Sequence, residues 1–165
     1  MKKILISILC FIMLCGCSKT QLAQGDVDEY KTYYNTVIEN VTFNQTSLYF
    51  DVSSEMVQVE DGTYRYYIVI DNPKLAMYNI VTIAVENDTP YEQADGMMPS
   101  MGIFDDSKSM IPYQVNSENG FVKGIALSGD SEQSSINIKL LVQWTDSSKK
   151  NTKREYLSFV IQPTE

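Results

Sequence analysis

Between residues 136 and 145 the chain places Ile136, Ile138, Leu140, Val142 and Trp144 on every second position, against Asn137, Lys139, Gln143 and Thr145. Side chains along a strand point alternately to opposite faces, so one face of this segment is core and the other is wet, as in an antiparallel sheet. Such a strand cannot bury its apolar face alone and needs partners of the same kind. Val81, Ile83 and Val85 repeat the pattern, as do Leu157, Phe159 and Ile161.

Short runs of β-branched and aromatic residues predict strands at 46–52, 64–71, 79–86, 102–104, 121–128, 135–145 and 155–162, with weaker ones at 41–43 and 110–115. Glu60-Asp61-Gly62 reads as a hairpin turn, because glycine tolerates the positive φ such turns need. Asp71-Asn72-Pro73 ends a strand, and residues 146–152 form a polar hairpin loop. About seven to nine short strands with no helix between them predict an all-β fold, an immunoglobulin-like two-layer antiparallel β-sandwich. No cysteine pair bridges its sheets, so an antibody-type domain is excluded. Ahead of the strands, Val27, Tyr30, Tyr34 and Val37 recur at helical spacing behind acidic Asp26, Asp28 and Glu29, which predicts a short helix over 26–38. An extended segment joining the first strand is the alternative, since Tyr, Thr and Val also favour strands. Residues 87–119 break the texture, being rich in Met, Gly, Pro, Asp and Ser; a long connection of this kind is usually functional or disordered, and one or two short edge strands are expected inside it.

The first residues carry an address. Lys2 and Lys3 precede an apolar run from Ile4 to Leu14 broken only by Ser7. A basic start and an apolar run of about 7–15 residues make a secretory signal, too short for a permanent membrane span of ~20 residues. The run closes on Leu14-Cys15-Gly16-Cys17, which resembles the lipobox of bacterial lipoproteins, with Cys at position 15 where Ala or Ser is commoner. That resemblance implies that residues 1–16 are a cleaved signal peptide and that Cys17 becomes the first mature residue and the diacylglyceryl attachment site. It divides the chain into a signal at 1–16, a lipidated tether and short helical segment at 17–39, and a β-sandwich domain at 40–165. Over residues 40–162 the architecture also looks like that of small Gram-positive surface lipoproteins with an immunoglobulin-like domain.

Charge and composition exclude several roles. A formal charge of −8, two units more negative once Lys2 and Lys3 leave, repels phosphate backbones and anionic headgroups, so no nucleic-acid partner is expected. Cys10 and Cys15 leave with the signal and Cys17 is consumed by lipid, so the mature body holds no disulfide and depends on its core. Histidine is absent throughout, which removes Ser-His-Asp and Cys-His catalysis and the commonest transition-metal ligand.

The remaining candidates are few. Met97, Met98 and Met101 form a possible partner-binding surface, with Met110 and Met77 as further members, and packing onto the core is their plainer role. Glu92, Asp95, Asp105 and Asp106 are clustered enough in sequence to hold calcium, yet lack EF-hand spacing and read first as surface charge. Tyr30, Tyr33, Tyr34, Tyr64, Tyr66 and Tyr67 include rings that must face outward, and serve as recognition platforms or cross-strand neighbours. Trp144 is expected in the core. The chain is therefore expected to be a membrane-anchored extracytoplasmic lipoprotein with no catalytic residue, cofactor or metal. It would be held to the bilayer through diacylglyceryl-Cys17 and act as an interaction or accessory module beside an envelope protein. The alternatives are a small-solute-binding lipoprotein and a surface hydrolase using paired carboxylates.

Overall fold

The computed structural model describes residues 23–164; Cys17 and the leader lie outside the described residues. The chain enters through helix α1, Gln24–Glu39, with Asp26 in the first turn, where the helix dipole favours a carboxylate. Among the described residues no side chain caps its N-terminus, and the hydroxyls of Thr32 and Thr36 donate back to the carbonyls of Asp28 and Thr32 at 2.9 and 2.7 Å. Thr, Tyr, Val and Asn are indifferent helix formers. What fixes the helix is its buried stripe of Tyr30, Tyr34 and Val37.

Among the described residues eight strands follow: β1 (Asp51–Gln58), β2 (Tyr64–Asp71), β3 (Met77–Glu86), β4 (Ser100–Met101), β5 (Lys108–Met110), β6 (Gly124–Ser131), β7 (Ile136–Thr145) and β8 (Thr152–Ile161). One antiparallel sheet runs β1-β2-β6; the other runs β4-β3-β7-β8, with β5 also paired to β3. Strands one, two and six thus face strands three, seven and eight, the Greek-key arrangement of an immunoglobulin-like sandwich. The alternation read at 136–145 is the heart of it: Ile136, Ile138, Leu140, Val142 and Trp144 all enter the core between the sheets, with Tyr66, Ile68 and Ile70 from β2 opposite.

The second face of the larger sheet is not wet. Tyr30, Tyr34 and Val37 of α1 pack against Val81, Ile83, Val85 and Leu141, so β3 is buried on both sides and the molecule has three layers. The set Val81, Ile83 and Val85 therefore serves the helix, while Ile80 and Ala84 serve the intersheet core. The helix crosses the sheet obliquely: Tyr30 lies 5.4 Å from Phe104 just past β4, the Tyr33 hydroxyl accepts from Gln143 Nε2 on β7 at 2.8 Å, and Phe43 beyond the helix reaches Tyr156 on β8.

Several predicted strand ranges shift. The run at 46–52 is mostly a connection that closes the sandwich side between β8 and β1: Phe50 is buried against Trp144, and Ser47 and Asn44 donate to the inward-pointing Glu155. Only a single bridge, Asn44 to Leu157, marks the weak strand at 41–43. The runs at 102–104 and 110–115 give way to β4 and β5, because Gly102 has φ +80° and Pro112 cannot donate to a ladder. β4 and β5 are two pieces of one broken edge strand on β3, and the chain between them swings outward so that Ile103 and Phe104 reach the helix. The run at 121–128 starts late, at Gly124.

Candidate functional site

β2 ends, β3 begins, β6 begins and β7 turns into β8 at one end of the sandwich, as the registers Asp71 to Gly124 and Thr145 to Thr152 require. The connections there surround a groove of about 760 Å³ lined by Asp71, Asn72, Pro73 and Lys74 on one side and by 111–115 with Lys123 on the other. Asn72 takes φ +47° to turn the chain out of β2. Its amide and the Lys74 ammonium both donate to Asp51, at 2.6 and 3.1 Å, and these bonds hold that carboxyl below the usual carboxylate range.

The opposite wall is a tight turn. Gln114 N–H donates to the Ile111 carbonyl at 3.1 Å, with Pro112 at the second position and Tyr113 at the third with φ +61°. Proline followed by a positive φ is the pattern of a type II turn, whose third position calls for Gly or Asn. A bulky side chain there is a true conformational outlier. Among the described residues nothing covers Tyr113, which is fully exposed, and Val115 is exposed beside it. Residues 116–122 are pinned behind the turn by paired bonds between Asn116 and Phe121 and by Ser109 and Val122. The β7–β8 loop completes this end: Asp146, held down to about pKa 2 by hydrogen bonds from Ser148 and Asn151, organises the turn, and Lys149 sits 4.8 Å above the Tyr78 ring.

A second recess of about 400 Å³ opens at the far end and is acidic, with Glu86, Asp95, Asp130 and Glu132 on its walls. Tyr66 is fully buried and donates to Glu86 Oε1 at 2.6 Å. Burial raises both groups, the Tyr66 phenol strongly, and the Glu86 carboxyl rises from its ordinary 4.5 despite the tyrosine bond that pulls it down. A carboxyl whose folded pKa is raised adds stability that is fully present below its unfolded pKa and is lost as pH rises through the folded value. Glu86→Gln is therefore expected to keep the acceptor for Tyr66 and to raise Tm at pH 7. That advantage should fade as pH falls below about 4.5; thermal melts across pH measure it. The carboxyls of Asp51, Asp61, Glu92 and Asp130 are depressed by their hydrogen-bond donors and titrate with the opposite sign.

The sequence candidates are dispersed by folding. Met97 is half exposed and borders the acidic recess with Met98, but Met98 also packs under the helix while Met101 packs on the intersheet core. The three do not share one face. Met77 and Met110 are fully buried. Of the acids, Glu92 is paired with Lys31 at 3.0 Å, Asp105 accepts the Gly102 N–H at 2.7 Å, and among the described residues no group of three or more His, Cys, Asp or Glu is placed to hold a metal. Tyr67 faces out and Tyr66 in, as alternation requires. Trp144 is buried, with its Nε1 lacking a partner among the described residues. None of the residues that line the loop-end groove is a site candidate in the sequence, where Asp71-Asn72-Pro73 reads only as a strand end; Pro112 is the available signal, since a proline inside an apparent strand marks a turn.

No helix among the described residues is long and apolar enough to cross a membrane. No protein-family model matches the chain, and comparisons with curated proteins and with solved structures find no match.

Proposed function

We propose that the chain is a lipid-anchored, non-catalytic interaction module of the cell envelope, displayed on the extracytoplasmic face of the membrane through diacylglyceryl-Cys17. The observation that carries the interaction role is the loop-end groove, where an exposed tyrosine is held on a strained turn above apolar and charged walls. Strain of this sort concentrates at recognition sites, because the fold gains nothing from it. The anchor is supported by the shape of residues 1–17.

Cys17→Ala tests the anchor. The variant is expected to lose incorporation of labelled palmitate and to leave the membrane fraction; retention in that fraction at the parent level would refute the assignment. A small-solute-binding role is the second reading, favoured by a groove volume within the ligand-pocket range of about 300–1,000 Å³. A cognate solute at 100 times its Kd would stabilise the fold by about 2.7 kcal/mol, readable as a thermal shift.

A further inference from the structure

We propose that the groove between residues 71–74 and 111–115 takes an acidic, extended peptide segment of a protein partner. This rests on the interaction-module reading above and names what the module recognises.

The first support is charge. The chain carries −8 overall, yet at this one end the exposed Lys74, Lys123, Lys149, Lys150 and Lys153, in its loops and strand starts, outnumber the carboxylates Asp51, Asp71 and Asp146. Acids dominate the other end, where Glu60, Asp61, Glu86, Asp88, Asp130 and Glu132 stand against Arg65 and Lys139. A partner with a negative segment is steered to the basic end and repelled from the acidic one.

The second support is the composition of the groove itself. Lys74 is already engaged by Asp51, whereas Lys123 and Asp71 have no ion pair among the described residues. A bilayer of anionic headgroups pressed onto this end would bring negative charge against the Asp71 carboxylate. A peptide strand brings donors as well as acceptors: its own N–H groups satisfy Asp71 while its carboxylates meet Lys123. Pro73, Ile111, Pro112 and Val115 offer the apolar floor on which one side chain of that strand rests.

The third support is Tyr113. A turn that calls for Gly or Asn instead carries a ring that buries nothing, and tyrosine is among the residue types that dominate the energetics of protein interfaces. Asn in its place relieves the backbone and removes the ring, so stability and recognition should move in opposite directions.

The test uses the full chain in detergent micelles and three probes: a fluorescein-labelled peptide alternating Glu with Leu, the same peptide with Lys for Glu, and polyglucuronate. Glycerol phosphate, the soluble headgroup of phosphatidylglycerol, serves as a fourth, because a lipidated chain enters any bilayer through its anchor. Saturable binding of the Glu peptide alone, with Tyr113→Asn weakening it roughly tenfold while Tm holds or rises by up to about 4 °C, is the expected result. Lys123→Ala should weaken it as well. Equal binding of the Lys peptide, tighter binding of polyglucuronate or glycerol phosphate, or unchanged affinity in Tyr113→Asn overturns the proposal.

In cells, a photo-crosslinker at position 113 should join a partner peptide rich in Asp and Glu, identified by mass spectrometry. Crosslinks only from position 67, on the outer face of β2, would overturn the groove and leave the interaction reading standing. No protein crosslink from either position would remove both.

Discussion

Gly102→Ala is expected to destabilise the fold by about 3 kcal/mol or more, a fall in Tm of roughly 6–12 °C for a chain of this size. Gly102 has φ +80°, where a residue with a Cβ is disfavoured by ~1–2 kcal/mol. The added Cβ would also stand 2.4 Å from the Ile80 carbonyl oxygen and 3.3 Å from Val81 Cα. Those atoms are backbone of β3, the strand buried on both faces, and they cannot retreat. Gly102 is where the broken edge strand leaves the sheet so that Ile103 and Phe104 can pack beneath the helix, so strain there reaches both cores. Gly25→Ala is the control: among the described residues nothing lies within 4 Å of its added Cβ and it sits in α1, so the change is expected to be neutral or to stabilise by up to ~1 kcal/mol. Urea melts of the two variants measure the contrast. Equal effects would mean that the chain does not take the left-handed conformation at 102.

The second large effect falls on the helix. Tyr34→Ala is expected to cost about 3–5 kcal/mol, the range for removing a buried aromatic ring. Tyr34 is fully buried, packs edge-on to Tyr91 at 5.5 Å, and donates to the Thr89 carbonyl at 2.7 Å. Its loss uncovers Val81, Ile83, Val85 and Leu141 together. Hydrogen exchange should then show residues 24–39 freely exchanging, with Tm lowered for the whole chain. An unchanged Tm would mean that the helix is an ornament of the tether and no part of the folded unit. Tyr34→Phe keeps the ring and loses only the bond, for about 1 kcal/mol. Burial, reinforced by Tyr30, Glu86 and Glu92, raises the Tyr34 phenol to about 12. Its neutral form therefore supports the fold fully below pH 10 and is lost as pH climbs through about 12.

Strands with dense alternating apolar residues were legible and sparse ones were not. The run at 64–71 coincides with β2, and β7 and β8 were found within a few residues, because each carries several core side chains on one parity. β1 was misplaced because Ser53, Ser54 and Glu55 dilute its pattern and Met56 is its one fully buried side chain. Leu48, Tyr49 and Phe50 looked more like a strand, but they close the sandwich side, with Leu48 left in solvent. Leu141 is the clue to a third layer: it is apolar on the face that otherwise carries Asn137, Lys139, Gln143 and Thr145, and the helix covers it.

The candidate site was less legible than the fold. Methionine clustering in sequence suggests a shared surface, but Met97 is left half exposed, its neighbour Met98 packs under the helix, and Met101, in β4, packs on the intersheet core. The groove draws Asp71 and Lys74 from one connection and Tyr113 and Lys123 from another, about 40 to 50 positions apart, a proximity that only strand pairing creates. The φ of Tyr113 has no signature beyond the proline before it.

The functional reading depends most on what happens at Cys17, and the mass of the chain purified from membranes measures it directly. The expected result is an N-terminal tryptic peptide, Cys17-Ser18-Lys19, carrying a diacylglyceryl group on sulphur, with residues 1–16 absent. A chain beginning at Met1, or a Cys17 peptide free of lipid, would contradict it.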